Sequence, residues 1–152
     1  MQDISSLDGL CDFNDPSASE IRFRELLTTC TTNDQEAECM TQIARCLGLQ
    51  QVFDEAHETL DSAAAIMSAG SRAEVRYMLE RGRVINSSGG RIASRQVFHQ
   101  ATEAARAFGD DGLTADAMHM IAIVEDGEDS LNWNLKTIEF CENSSDPKAQ
   151  KW

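Results

Sequence analysis

The side chains best suited to chemistry are three histidines, five cysteines and a band of arginines. His57, His99 and His119 lie far apart in sequence, and none forms H-E-x-x-H or a Cys/His set at zinc spacing. Met118-His119-Met120 offers soft sulfur beside imidazole, a copper-like set. On a helix, however, adjacent residues point about 100° apart, so the two methionines are expected to fill core gaps. The cysteines are Cys11, Cys30, Cys39, Cys46 and Cys141, an odd number with no C-x-x-C pair. They read as reduced thiols of a cytoplasmic chain. Ser88-Gly89-Gly90 lacks the lysine and spacing of a P-loop, and no G-x-S-x-G elbow occurs. Asp110, Asp111, Asp126, Glu128 and Asp129 lack the calcium-loop pattern and suit helix starts instead. These residues predict no catalytic site, no metal site and no cofactor.

Charge is more informative. The 152 residues carry 13 basic and 26 acidic side chains, a net charge of −13. Such a chain repels nucleic acid and anionic membrane surfaces, whose binding rests on Lys and Arg. No apolar run approaches the roughly 18 residues that span a bilayer. The distribution is uneven. Residues 71–106 hold seven arginines (Arg72, Arg76, Arg81, Arg83, Arg91, Arg95 and Arg106) against Glu74, Glu80 and Glu103. Residues 1–40 hold nine acids and two arginines, and 110–130 hold seven acids and no basic residue. A basic band therefore sits inside an acidic molecule.

The elements that must position this band are helices. Ala, Leu, Glu, Arg, Gln and Met dominate, alternating strand patterns are absent, and short Gly/Ser/Asn/Asp clusters punctuate the chain. The pattern predicts helices near 17–31, 34–48, 52–68, 71–87, 91–108, 112–125 and 129–143, with 1–16 flexible or loosely docked. A small-large-small motif recurs as Ala56–Leu60–Ala63, Ser94–Phe98–Ala101 and, more weakly, Leu131–Leu135–Ile138. Its starts are 38 and 37 residues apart. Spacings of four then three place each trio on one helical face, where a small residue lets two backbones cross. One hairpin cannot bury such a face alone, whereas stacked hairpins can.

Leu47-Gly48…Phe53-x-x-Ala56-x-x-x-Leu60-x-x-Ala63 and Gly82…Gly89…Ser94-x-x-x-Phe98-x-x-Ala101 resemble the tetratricopeptide repeat family over roughly 36–147. The period exceeds the family's usual 34, and the helix-ending proline appears only as Pro147. The resemblance implies an all-α, right-handed superhelical solenoid over 17–152, with about three hairpins plus an N-terminal helix. It also implies a scaffold or adaptor that binds a peptide or partner helix, and not an enzyme. The family's groove positions, carried over, are Glu38, Thr41 and Arg45; Arg76, Leu79, Arg83 and Asn86; and Asp116 and Met120. Arg45, Arg76 and Arg83 then suit an acidic peptide; alternatively Arg83 pairs with Glu80, and Arg76 with Glu80 or Glu74 and the acidic flanks. The end at Asp146–Trp152 reads either as the start of another repeat in a longer solenoid or as a surface for homo-oligomerisation. A regulatory segment of an enzyme is the rival from another class.

Overall fold

The computed structural model describes residues 7–152 and contains seven α-helices; among the described residues there is no strand. The helices are α1 (Pro16–Leu27), α2 (Asn33–Leu49), α3 (Phe53–Ile66), α4 (Arg72–Ser87), α5 (Arg91–Phe108), α6 (Asp111–Val124) and α7 (Gly127–Asn143). A short 3-10 turn, Ala149–Lys151, follows. Local chemistry starts these helices where the sequence predicts. The Asp15 carboxylate accepts from the Ala18 amide ahead of Pro16, and Thr32, Ser71 and Asp110 cap α2, α4 and α6 in the same way. Glu74 also accepts from the Gly70 amide at 2.7 Å, a reciprocal cap on α4.

One boundary differs. The sequence extends the first helix to residue 31, whereas α1 ends at Leu27. The Thr28 and Thr29 hydroxyls donate to the carbonyls of Glu25 and Leu26, each at 2.7 Å. Threonines that bond the last turn's own carbonyls compete with further helix.

Each helix packs against its neighbour in sequence, and α2 also touches α4, and α4 touches α6. The core follows the chain in consecutive clusters. Phe23, Ile43, Leu47, Leu60 and Val84 join α1 to α4, and Leu7 belongs to the same cluster. Val75, Leu79, Ala101, Ala105 and Leu113 join α4 to α6. Phe98, Ile121 and Val124 bring in Trp133 of α7. The two stronger trios sit at the centre of this packing: Ala56, Leu60, Ala63, Ser94, Phe98 and Ala101 are all fully buried. At Gly82, a Cβ would lie 2.5–2.9 Å from the Phe98 ring, so α4 and α5 cross there on a glycine.

The third trio is displaced. Leu131, Leu135 and Ile138 are 57%, 54% and 52% exposed, and α7 instead buries Thr137 and Cys141. The inward face is small and polar, and its hydroxyls are satisfied locally: Ser130 donates to the Ala122 carbonyl and Thr137 to the Trp133 carbonyl. Ser130 and Thr137 stand 36 residues after Ser94 and Ala101, so the register slips by one from the apolar spacing. No helix among the described residues is long and apolar enough to cross a membrane.

Candidate functional site

A cavity of about 780 Å3 runs along the face made by α2, α4 and α6. Gln42 and Arg45 line it from α2, Arg76 and Arg83 from α4, and Asp116 and Met120 from α6. Residues 7–13 wall it on one side, and Lys148 to Trp152 close one end. A smaller cavity, about 120 Å3, continues past Arg45 and Arg83 to Asn86. Of the residues carried over from the family's groove, Arg45, Arg76, Arg83, Asp116 and Met120 therefore share one cavity, and Asn86 lines its neighbour. Leu79 is placed elsewhere: it is fully buried among Val75, Ala101 and Leu113.

Helical spacing explains the arrangement. Arg72, Arg76, Glu80 and Arg83 follow one another by four, four and three residues and share one face of α4. From that face they reach both neighbours. Arg45 of α2 donates to Glu80 at 3.2 and 3.3 Å, and Arg83 donates to the same carboxylate at 2.7 Å. Arg83 also binds Asp116 of α6. At the other end Arg72 binds Glu38 of α2 and, at 3.2 Å, the capping carboxylate Asp110. The arginine band thus holds three helices in register through buried ion pairs. Arg83 pairs with Glu80 as one reading of the sequence has it. Arg76 pairs with the acidic N-terminal flank, at Asp8, with Glu38 at 3.7 Å, and not with Glu80 or Glu74.

Burial and charge shape the titrations. Burial pushes the Asp116 carboxyl up, but the Arg83 guanidinium outweighs it and holds Asp116 below its ordinary 3.8. That contribution to stability is present above this ordinary value and is lost as the pH falls through the lower folded value. Glu38 moves the other way: burial raises it despite Arg72. Burial also pushes Arg76 down, against the attraction of Glu80 and Asp116.

The cysteines are all free thiols. Cys11, on the wall of the cavity, is lowered from 9.0 to about 7, chiefly by a hydrogen bond with Cys46; burial opposes this and Arg45 assists it. Cys39, by contrast, is pushed up to about 12, chiefly by burial. Since the thiolate is the nucleophile, iodoacetamide at neutral pH is expected to label Cys11 first. Its rate should rise with a midpoint near pH 7, and Arg45→Gln should move that midpoint upward. Peptide mapping of labelled protein checks this; equal labelling of Cys11 and Cys30 at pH 7 would contradict it.

The histidines are not gathered. Arg81 donates to Nδ1 of His57 at 2.7 Å, His99 meets the Trp133 ring edge at 5.3 Å, and His119 lies 5.4 Å from Trp152. Among the described residues no group of three or more His, Cys, Asp or Glu is placed to hold a metal ion. Sequence reasoning missed the part played by Leu7, Asp8 and Lys148. Residues 7 and 8 lie in a segment with no periodic pattern, and the Asp8 partners Arg72 and Lys148 are 64 and 140 residues away. No family model, curated protein or solved structure matches the chain.

Proposed function

We propose that this chain is a protein-interaction module, a tetratricopeptide-like solenoid of helical hairpins that binds a peptide or partner helix along α2, α4 and α6. One observation carries the reading: a continuous cavity with an apolar floor at Met120 and Ile123 and guanidiniums from two helices along its length. Its charged groups are mostly paired with one another, which favours binding over proton transfer or nucleophilic chemistry. Unpaired cysteines fit a cytoplasmic setting.

A photo-crosslinking residue at Ile123, which is 48% exposed in the cavity, tests the reading in living cells. Discrete protein adducts are expected there and not from Ile92, which is 82% exposed and does not line the cavity. Equal adducts from both positions, or none from Ile123, would overturn it. A second reading, self-association, is favoured by the exposed stripe Leu131, Leu135 and Ile138 on α7. It predicts a dimer in sedimentation that Leu135→Glu converts to a monomer.

A further inference from the structure

The cavity is already partly filled by this chain. Residues 7–13 lie against it as a non-helical segment with a turn at Asp8-Gly9. The turn needs a left-handed residue, and Gly9 supplies it at φ +91°. Leu7 on one side of the turn is 1% exposed, inserted in the core cluster of α1 to α4, and Leu10 on the other side packs on the same cluster. Between the leucines, the Asp8 carboxylate takes Arg76, Arg72 at 3.1 Å and Lys148 at 2.9 Å. Further along, Phe13 lies under the Arg45 guanidinium, 4.9 Å from ring to cation. Leucine, carboxylate, leucine and aromatic ring are each received by a matching surface.

This end of the cavity suits a carboxylate. Arg76 is buried, its Nε faces Glu38 at 3.7 Å, and its terminal nitrogen binds Asp8. Among the described residues, Asp8 is the one carboxylate that Arg72, Arg76 and Lys148 all reach, while Glu38 and Asp110 bind Arg72. Placing three cations together there is unfavourable unless an anion joins them.

We propose that residues 7–13 are the built-in ligand of this groove, and that the partner is a protein segment of the same chemistry: an Asp-Gly turn between leucines, competing with residues 7–13 for Arg72, Arg76 and Lys148. The inference rests on the groove being an interaction site, and it adds what enters and what must leave. In the resting chain the groove is self-occupied, so a partner's measured affinity is reduced by the fraction of molecules whose segment is in place.

The test uses the full chain and a labelled synthetic peptide, Leu-Asp-Gly-Leu-Ser-Asp-Phe-Asn-Asp, which copies residues 7–15 with serine for Cys11. Asp8→Arg in the chain sets a like charge against the three cations and frees the groove. Fluorescence anisotropy should show this variant binding the peptide at least tenfold more tightly than the unaltered chain, with Asn for the first Asp of the peptide abolishing the gain. Equal weak binding by both chains, with circular dichroism showing the variant folded, would overturn the proposal. A measurement on the unaltered chain covers the case in which the variant does not fold. Saturating peptide should displace the segment, remove the Cys46 and Arg45 contacts, and move the pH midpoint of Cys11 alkylation from about 7 up toward the ordinary 9.0, and an unchanged midpoint would overturn it. If the peptide fails both tests while Ile123 still crosslinks a discrete protein, this proposal falls and the groove reading stands. If the peptide binds but Ile123 crosslinks nothing, the built-in ligand stands and the adaptor reading falls.

Discussion

Replacing Glu80 with alanine is expected to destabilise the fold by about 3–5 kcal/mol, the usual loss when one partner of a buried ion pair is removed. Glu80 has no exposed side-chain surface, and it accepts from Arg45 at 3.2 Å and Arg83 at 2.7 Å. Its loss leaves two guanidiniums with their charge only partly answered, since Asp116 pairs directly with Arg83 and not with Arg45. In a chain of this length the melting temperature should fall by roughly 10 °C. Glu80→Gln, which keeps the shape and loses the charge, should fall between. The control is Glu103→Ala: Glu103 meets Arg106 at 3.9 Å with both side chains half or more exposed, and such pairs contribute about 0–1 kcal/mol. Thermal melts of the three variants decide the matter. A Glu80→Ala change within about 1 kcal/mol of the unaltered protein would mean that the arginine band does not hold the helices together.

Truncating Phe98 to alanine should cost a comparable amount, about 3–5 kcal/mol, because it removes a fully buried ring between α4, α5 and α6. The more informative experiment couples it to Gly82. A Cβ at Gly82 would meet three Phe98 ring carbons at 2.5, 2.8 and 2.9 Å, so Gly82→Ala alone should cost about 1–3 kcal/mol through overpacking. That reverses the ordinary preference, since glycine inside a helix is usually worse than alanine by roughly 0.5–1 kcal/mol. Once the ring is gone the ordinary preference should return, and Gly82→Ala should be neutral or stabilising in the Phe98→Ala background. Urea denaturation of the single and double variants closes the cycle. Additivity within about 0.5 kcal/mol would contradict a close crossing of α4 and α5 at this point.

These two sites also show what could be read from sequence. Phe98 was legible as the large residue of a repeated trio and Gly82 as part of the family resemblance, but that the two meet across α4 and α5 was not. The seven helices were legible because caps such as Thr32, Ser71 and Asp110 act on amides only three residues away. The third repeat was not. Its inward face carries buried Thr137 and Cys141 and half-buried Ser130, and the two hydroxyls bond nearby carbonyls, so apolar spacing pointed to the exposed Leu131, Leu135 and Ile138. The cavity residues Arg45, Arg76 and Arg83 came from family positions on helices of regular length. Leu79 fell away because helix rotation at that position directs it toward α5 and α6 rather than the cavity. The arrival of Asp8 at Arg72, Arg76 and Lys148 is a long-range event that brings the first described stretch onto α4 and the last. No local pattern encodes it.

A local basic groove, rather than the overall charge, is expected to decide what this chain binds. Selection of random nine-residue peptides displayed on phage against the immobilised 152-residue Asp8→Arg chain separates the two directly. Long-range attraction to a molecule of net charge −13 would enrich basic peptides over the whole surface. The groove predicts acidic peptides with leucine or an aromatic beside the carboxylate, and their binding should be lost when Ile123→Arg blocks the cavity. Enrichment of basic peptides, or of acidic peptides indifferent to Ile123→Arg, would contradict the account.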